Sequence, residues 1–94
     1  MEDRKYELTT FFKEIKDENG ILLAALYQIR ALKSFGSIKR GELGGWVTSE
    51  RNLSHDGDAW IFPGGIVSGT ARASGDALVS GNAWVRGNAA VRGN

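Results

Sequence analysis

The chain reads as an all-β protein whose C-terminal part winds as a parallel β-helix. Two observations predict this class: an unbroken six-residue repeat from Asp56 to the last residue, and an N-terminal segment rich in aromatic and β-branched residues, split by a turn sequence. The hexads run DGDAWI, FPGGIV, SGTARA, SGDALV, SGNAWV and RGNAAV, then the stub RGN. A helix repeats near 3.6 residues and a strand at 2, so neither alone accounts for a period of six with fixed chemistry at each place. Three hexads make one coil of 18 residues, and stacked coils make a parallel β-helix.

Tyr6 to Lys16 (YELTTFFKEIK) has the composition of a strand, Asp17 to Gly20 (DENG) that of a turn, and Ile21 to Phe35 returns as the second strand of a hairpin. Ile21 to Lys33 also carries a helical stripe of Leu22, Ala25, Leu26, Ile29 and Leu32. Periodicity does not separate the two, and the strand is the expectation adopted. Gly36 to Gly45 is expected to be loop. Trp46 to His55 keeps the hexad phase loosely, with Leu43 in the apolar first slot and Val47 and Leu53 in the fifth. The coil is therefore expected to begin near Leu43, dividing the chain into a β cap with its connecting loop at 1–42 and a repeat region at 43–94.

Each slot of the hexad has a physical role. The first slot holds Ile61, Val67, Ala73, Val79, Val85 and Val91, and the fifth holds Ala59, Gly65, Ala71, Ala77, Ala83 and Ala89. Both point inward, because a narrow prism admits one branched side chain and one methyl per side. Gly57, Gly69, Gly75, Gly81, Gly87 and Gly93 stand at the corners, where positive φ favours glycine, and Pro63 replaces the glycine once. The slot after the glycine carries Asp58, Gly64, Thr70, Asp76, Asn82, Asn88 and Asn94, residues suited to turns. An 18-residue stack puts Asp58, Asp76 and Asn94 in one column and Thr70 with Asn88 in another, the arrangement of a side-chain ladder.

Composition narrows the function classes. The chain has 94 residues, enough for one small domain, with 12 Lys and Arg against 11 Asp and Glu. The first 55 residues hold nine basic against eight acidic groups and the rest three against three, so no basic patch points to nucleic acid. With no cysteine there is neither a disulfide framework nor thiolate chemistry, which fits a reducing cytoplasm. MEDRKYELTT does not read as a signal peptide. The longest apolar run, Ile21 to Tyr27, is too short to span a bilayer.

The segment GELGGWVTSERNLSHDGDAW, preceded by LYQIRALKSFGSIKR, resembles the opening of the YdcK-like hexapeptide-repeat proteins of bacteria and their phages. The resemblance runs from about Tyr6 to the end and is densest from Gly41 to Trp60. It implies that the β-helix is left-handed and that a short N-terminal β cap leads into it. It brings no catalytic residue set. Members often run through many more hexads than this chain. RGNAAVRGN contains no capping helix or loop, so the last coil is expected to be solvated, shielded by Arg86 and Arg92, or paired with another subunit.

The sixth slot is expected to face outward and supplies the candidate functional residues: Trp60, Ile66, Arg72, Leu78, Trp84 and Ala90. Leu78 stacks on Trp60 and Trp84 on Ile66, giving apolar columns on two sides, of a size that calls for a cover. One cover is the hairpin folding back over a column; the other is a protein partner or second subunit anchored on Trp60 or Trp84, with Ile66 and Leu78 as apolar contacts and Arg72, Arg86 and Arg92 as polar ones. His55, the one histidine, invites comparison with the general base of hexapeptide-repeat acyltransferases, but a hydrogen-bonding role in a turn fits it better. Asp56 and Asp58 suit corner positions rather than a calcium site, and Gly44 and Gly45 lack the lysine and helix of a phosphate loop. No catalytic residue, metal or cofactor is therefore expected. The expected function is a non-catalytic, self-associating protein-interaction module, phage or mobile-element encoded by resemblance, such as an inhibitor of a host enzyme or defence complex in the bacterial cytoplasm. A structural assembly protein and a reduced hexapeptide acyltransferase are the alternatives.

Overall fold

The computed structural model describes residues 4–92. It is all-β: β1 (Tyr6–Lys16), β2 (Leu22–Ala31), β3 (Leu43–Val47), a 3-10 turn (Glu50–Asn52), β4 (Trp60–Ile61), β5 (Ile66–Val67), β6 (Arg72–Ser74), β7 (Leu78–Val79), β8 (Trp84–Val85) and β9 (Ala90–Arg92). The N-terminal strands form the expected antiparallel hairpin. Its turn is held by Asp17, whose Oδ1 accepts from the backbone N–H groups of Asn19 and Ile21 at 2.8 and 2.9 Å. Ile21 to Lys33 is thus strand over Leu22–Ala31, where the main chain pairs antiparallel with β1 on one edge and with β3 on the other.

Beyond the hairpin the strands pair in parallel in three columns. Trp60 and Ile61 lie beside Leu78 and Val79, Ile66 and Val67 beside Trp84 and Val85, and Arg72 to Ser74 beside Ala90 to Arg92. Every one of these pairs is 18 residues apart. Ile61, Val67, Ala73 and Val79 are buried, with Ala59, Ala71 and Ala77 beside them, as the alternation of first and fifth slots requires. Val85 and Val91 are half-buried. The corner glycines Gly57, Gly69, Gly75, Gly81 and Gly87 take positive φ, and in the hexad with Pro63 the following Gly64 does so instead. At Gly57 a Cβ would also lie 2.5 Å from the carbonyl oxygen of Gly75 in the next coil. Thr70 Oγ1 hydrogen-bonds Asn88 Oδ1, and the Asp58 N–H donates to Asp76 Oδ1 at 3.3 Å. The expected places of Gly93 and Asn94 lie outside the described residues.

Two expectations about where the coil begins are corrected. Leu43 to Gly45 is strand rather than loop, and β3 joins the two halves: it pairs antiparallel with β2 on one edge and parallel with β5 on the other, making one sheet in the order β1, β2, β3, β5, β8. The register of this first strand differs as well. Val47 pairs with Val67 and Leu53 bridges Ala73, an offset of 20 rather than 18, so Val47 and Leu53 occupy first-slot core places and Leu43 stands outside at 37% exposure. The cause is two additional residues between Leu53 and Ile61, accommodated at the corner that holds His55. Gly44 and Gly45 pass so close over the next coil that a Cβ on Gly45 would lie 2.4 Å from Ile61 Cγ2 and 2.5 Å from the Gly65 carbonyl oxygen.

The first complete coil has no full coil before it, and three different groups satisfy its carbonyls. Within the stack, the carbonyls of Ala77, Ala83 and Ala89 accept from the N–H groups of Trp60, Ile66 and Arg72. One coil earlier, the equivalent carbonyls of Ala59, Gly65 and Ala71 accept from Lys5 Nζ at 2.7 Å, the Trp46 N–H at 3.0 Å and Asn52 Nδ2 at 2.8 Å. Lys5 and Asn52 repeat the same move on the preceding corner glycine, donating to Gly57 and Gly69 oxygens. A lysine and an asparagine therefore stand in for two missing strands. Both side chains are buried, where an unpaired carbonyl would cost roughly 1–3 kcal/mol.

Candidate interaction surface

Trp60 does not stand on the surface as its slot suggests. It is fully buried, with Phe35 packed edge-on at 5.4 Å between ring centroids, so the N-terminal half of the chain covers this side at its first level. The cover stops there. Leu78, its neighbour one coil on, is 58% exposed. Trp60 accordingly belongs to the core rather than to any interface, and its buried indole N–H has no hydrogen-bond partner among the described residues.

The second column is half-buried at Trp46 and Ile66 and exposed at Trp84, and it is wider than the hexads indicate. Because β3 enters the sheet two residues out of phase, Trp46 takes the outward place beside Ile66, and the row reads Trp46, Ile66, Trp84 across β3, β5 and β8. Neighbouring strands lie about 4.8 Å apart, so the row forms a ridge about 10 Å wide from first backbone to last. Cations close both ends: Lys13 Nζ lies 4.4 Å from the centroid of the Trp46 ring and the Arg86 guanidinium 4.7 Å from that of Trp84. Trp84 Nε1 donates to Ser68 Oγ at 2.8 Å, which fixes the ring while leaving the residue 38% exposed. Trp46 and Lys13 were missed by the hexad reading. The six-residue spacing of Val47 and Leu53 was the signal that would have placed Trp46 here.

Of the remaining sequence candidates, Arg72 and Arg92 are exposed on the third side, with Arg72 in register with Ala90. They stand in a different column from Ile66 and Trp84, whereas Arg86 shares the Trp84 surface.

His55 lies in a latch between the N-terminal segment and the parallel strands. Its Nδ1 accepts the Lys5 N–H at 3.1 Å, its ring stacks on Tyr6 at 4.3 Å, and Nε2 stands 3.7 Å from a Glu50 carboxylate oxygen. Tyr6 places its hydroxyl 2.7 and 2.6 Å from the carbonyl oxygens of Glu50 and Leu53. Burial pushes the Tyr6 phenol well above its ordinary pKa, with Glu50 adding to the effect. Burial also pulls the Lys5 amine down to about 8, against the attraction of Asp58, Asp56 and Asp76 and with Lys33 adding to the fall. These bonds fasten the N-terminal segment to the coil; their donors and acceptors are used in holding main chain. Among the described residues no group of three or more His, Cys, Asp or Glu side chains could hold a metal, and no helix is long and apolar enough to cross a membrane. No family model and no curated protein matches the chain.

Proposed function

We propose that this chain is a non-catalytic protein-interaction module of the YdcK-like type, a short left-handed parallel β-helix under a hairpin cap, working through the ridge of Trp46, Ile66 and Trp84. The 18-residue offset of all three columns supports the winding, and the sequence resemblance supports its hand. The ridge itself carries the functional reading: of two apolar columns the fold seals one at Trp60 and leaves the other half-buried at Trp46 and Ile66 and exposed at Trp84, with the Trp84 ring already held in place. Rigid aromatic anchors lose little conformational freedom on docking and dominate interfaces. The partner is a bacterial host enzyme or defence complex in the cytoplasm, and the gene is carried by a phage or mobile element.

The test compares wild type with Trp84→Asp in capture from bacterial lysate, with circular dichroism to verify that both are folded. A protein retained by wild type, lost with the variant, and then shown to bind the purified wild type directly supports the ridge. Equal retention by both chains would remove it.

A further inference from the structure

We infer that β1 is a self-pairing edge, through which two copies of this chain join antiparallel about Ile15. It is an edge distinct from the tryptophan ridge, sharing only Lys13 with it, and does not rest on it.

β1 is the outermost strand of the five-stranded sheet, with no strand beyond it among the described residues. Its distal half overhangs the coil, and five of the large exposed apolar side chains gather there: Phe11, Phe12, Ile21, Leu22 and Leu23 are each 49–61% exposed. A two-stranded ribbon with apolar groups open to water is marginal by itself. The sequence along this edge, Lys13-Glu14-Ile15-Lys16-Asp17, says what fits beside it. Read outward from Ile15, each base on one side is matched by an acid at the same distance on the other. When the strand meets an antiparallel copy with Ile15 opposite Ile15, Glu14 faces Lys16 and Lys13 faces Asp17, in both directions. Four opposite-charge pairs arise and no like-charge pair.

Charged residues on an edge strand ordinarily deter pairing. Here they select one register, since centring the pairing on Glu14 or Lys13 instead would oppose like charges. Of the two irregularities in the β1–β2 pairing, the one between Leu8 and Phe12 lies outside this segment and limits regular pairing to the distal half, and the one between Ile15 and Lys16 places its additional residue, Leu23, on β2 and not on the β1 edge. In the Ile15 register, Phe11 and Phe12 of one copy come beside the turn of the other, near where Ile21 to Leu23 emerge. Pairing the two edges gives hydrogen-bond partners to the outward N–H and C=O groups of β1 in both copies. The weak exposed contact of Lys16 with Glu14 on the same strand, at 3.6 Å, is exchanged for cross-strand pairs.

The symmetry provides a test that no other surface would pass. Glu14→Lys and Lys16→Glu are both exposed substitutions, and each alone opposes like charges at the dyad. Sedimentation or light scattering should show wild type as a dimer and each variant as a monomer, with self-association weakened about tenfold or more. Mixed together, the two variants should restore the dimer. One then carries bases at both positions flanking Ile15 and the other carries acids at both, so every facing pair is again of opposite charge. Trp84→Asp should leave the dimer intact, which keeps this result apart from the test of the ridge. A monomeric wild type, variants that remain dimeric, or a mixture that stays monomeric would each overturn the proposal.

Discussion

Asn52→Asp changes one NH2 group to an oxygen and tests how the first coil is closed. Asn52 Oδ1 accepts from the Thr48 N–H, the Thr48 hydroxyl and the Ser49 N–H at 2.8–2.9 Å, and an aspartate can keep all three. The loss falls on the other side, where Nδ2 donates to the oxygens of Gly69 and Ala71 at 3.1 and 2.8 Å. With aspartate, two carbonyls lose their donor and face a carboxylate oxygen. At roughly 1–3 kcal/mol for each orphaned group, the expected destabilisation at neutral pH is about 3–5 kcal/mol, a large part of what a domain of this size has. A protonated aspartate regains one donor. The gap between variant and wild type should therefore narrow by about 1–2 kcal/mol as the carboxyl is protonated on acidification. Urea unfolding followed by tryptophan fluorescence, run on both proteins at neutral and mildly acidic pH, measures this difference. A penalty below about 1 kcal/mol, or one indifferent to pH, would refute the idea that a side chain replaces a strand here.

The Lys5 amine, at about 8 when folded against 10.5 unfolded, predicts a pH effect of definite sign. Above pH 8 the unfolded chain binds more protons at this site, so its contribution to stability should rise from pH 8 towards 10.5, by up to about 3 kcal/mol. Lys5→Met should abolish the rise. Tyr6 works the other way at higher pH, because its phenol ionises in the unfolded chain first, so the comparison is clean between about pH 8 and 10. Gly45→Ala should cost about 1–3 kcal/mol or more in thermal or urea unfolding, since the added methyl meets two carbonyl oxygens and Ile61 inside 2.8 Å; tolerance of it would mean that β3 does not cross so closely. Acrylamide should quench the fluorescence of a chain carrying Trp84→Phe less than that of one carrying Trp60→Phe, because the first removes an exposed emitter and the second a buried one.

Much of the coil was legible in one dimension because its chemistry is repeated. Six-residue periodicity identifies the residues that must be small, the ones that must be branched and the corners that need glycine, and these act locally wherever the chain winds. The hairpin was legible for a similar reason, since DENG specifies its own turn through Asp17. What the slots could not reveal was the fate of an outward residue. Trp60 and Trp84 occupy the same slot, yet one is sealed under Phe35 and the other is open.

The sequence by itself determined the strand content, the 18-residue stacking and the identity of most of the inward-facing residues, because those follow from backbone geometry repeated hexad by hexad. Only the tertiary structure decided which columns are covered, that β3 enters two residues out of phase and adds Trp46 to the outward row, and that Lys5 and Asn52 close the first coil. Those outcomes depend on where a segment of different period meets the repeat. That meeting is set by steric fit between residues far apart in the chain, such as Gly45 against Ile61 and Phe35 against Trp60, and no local pattern encodes it.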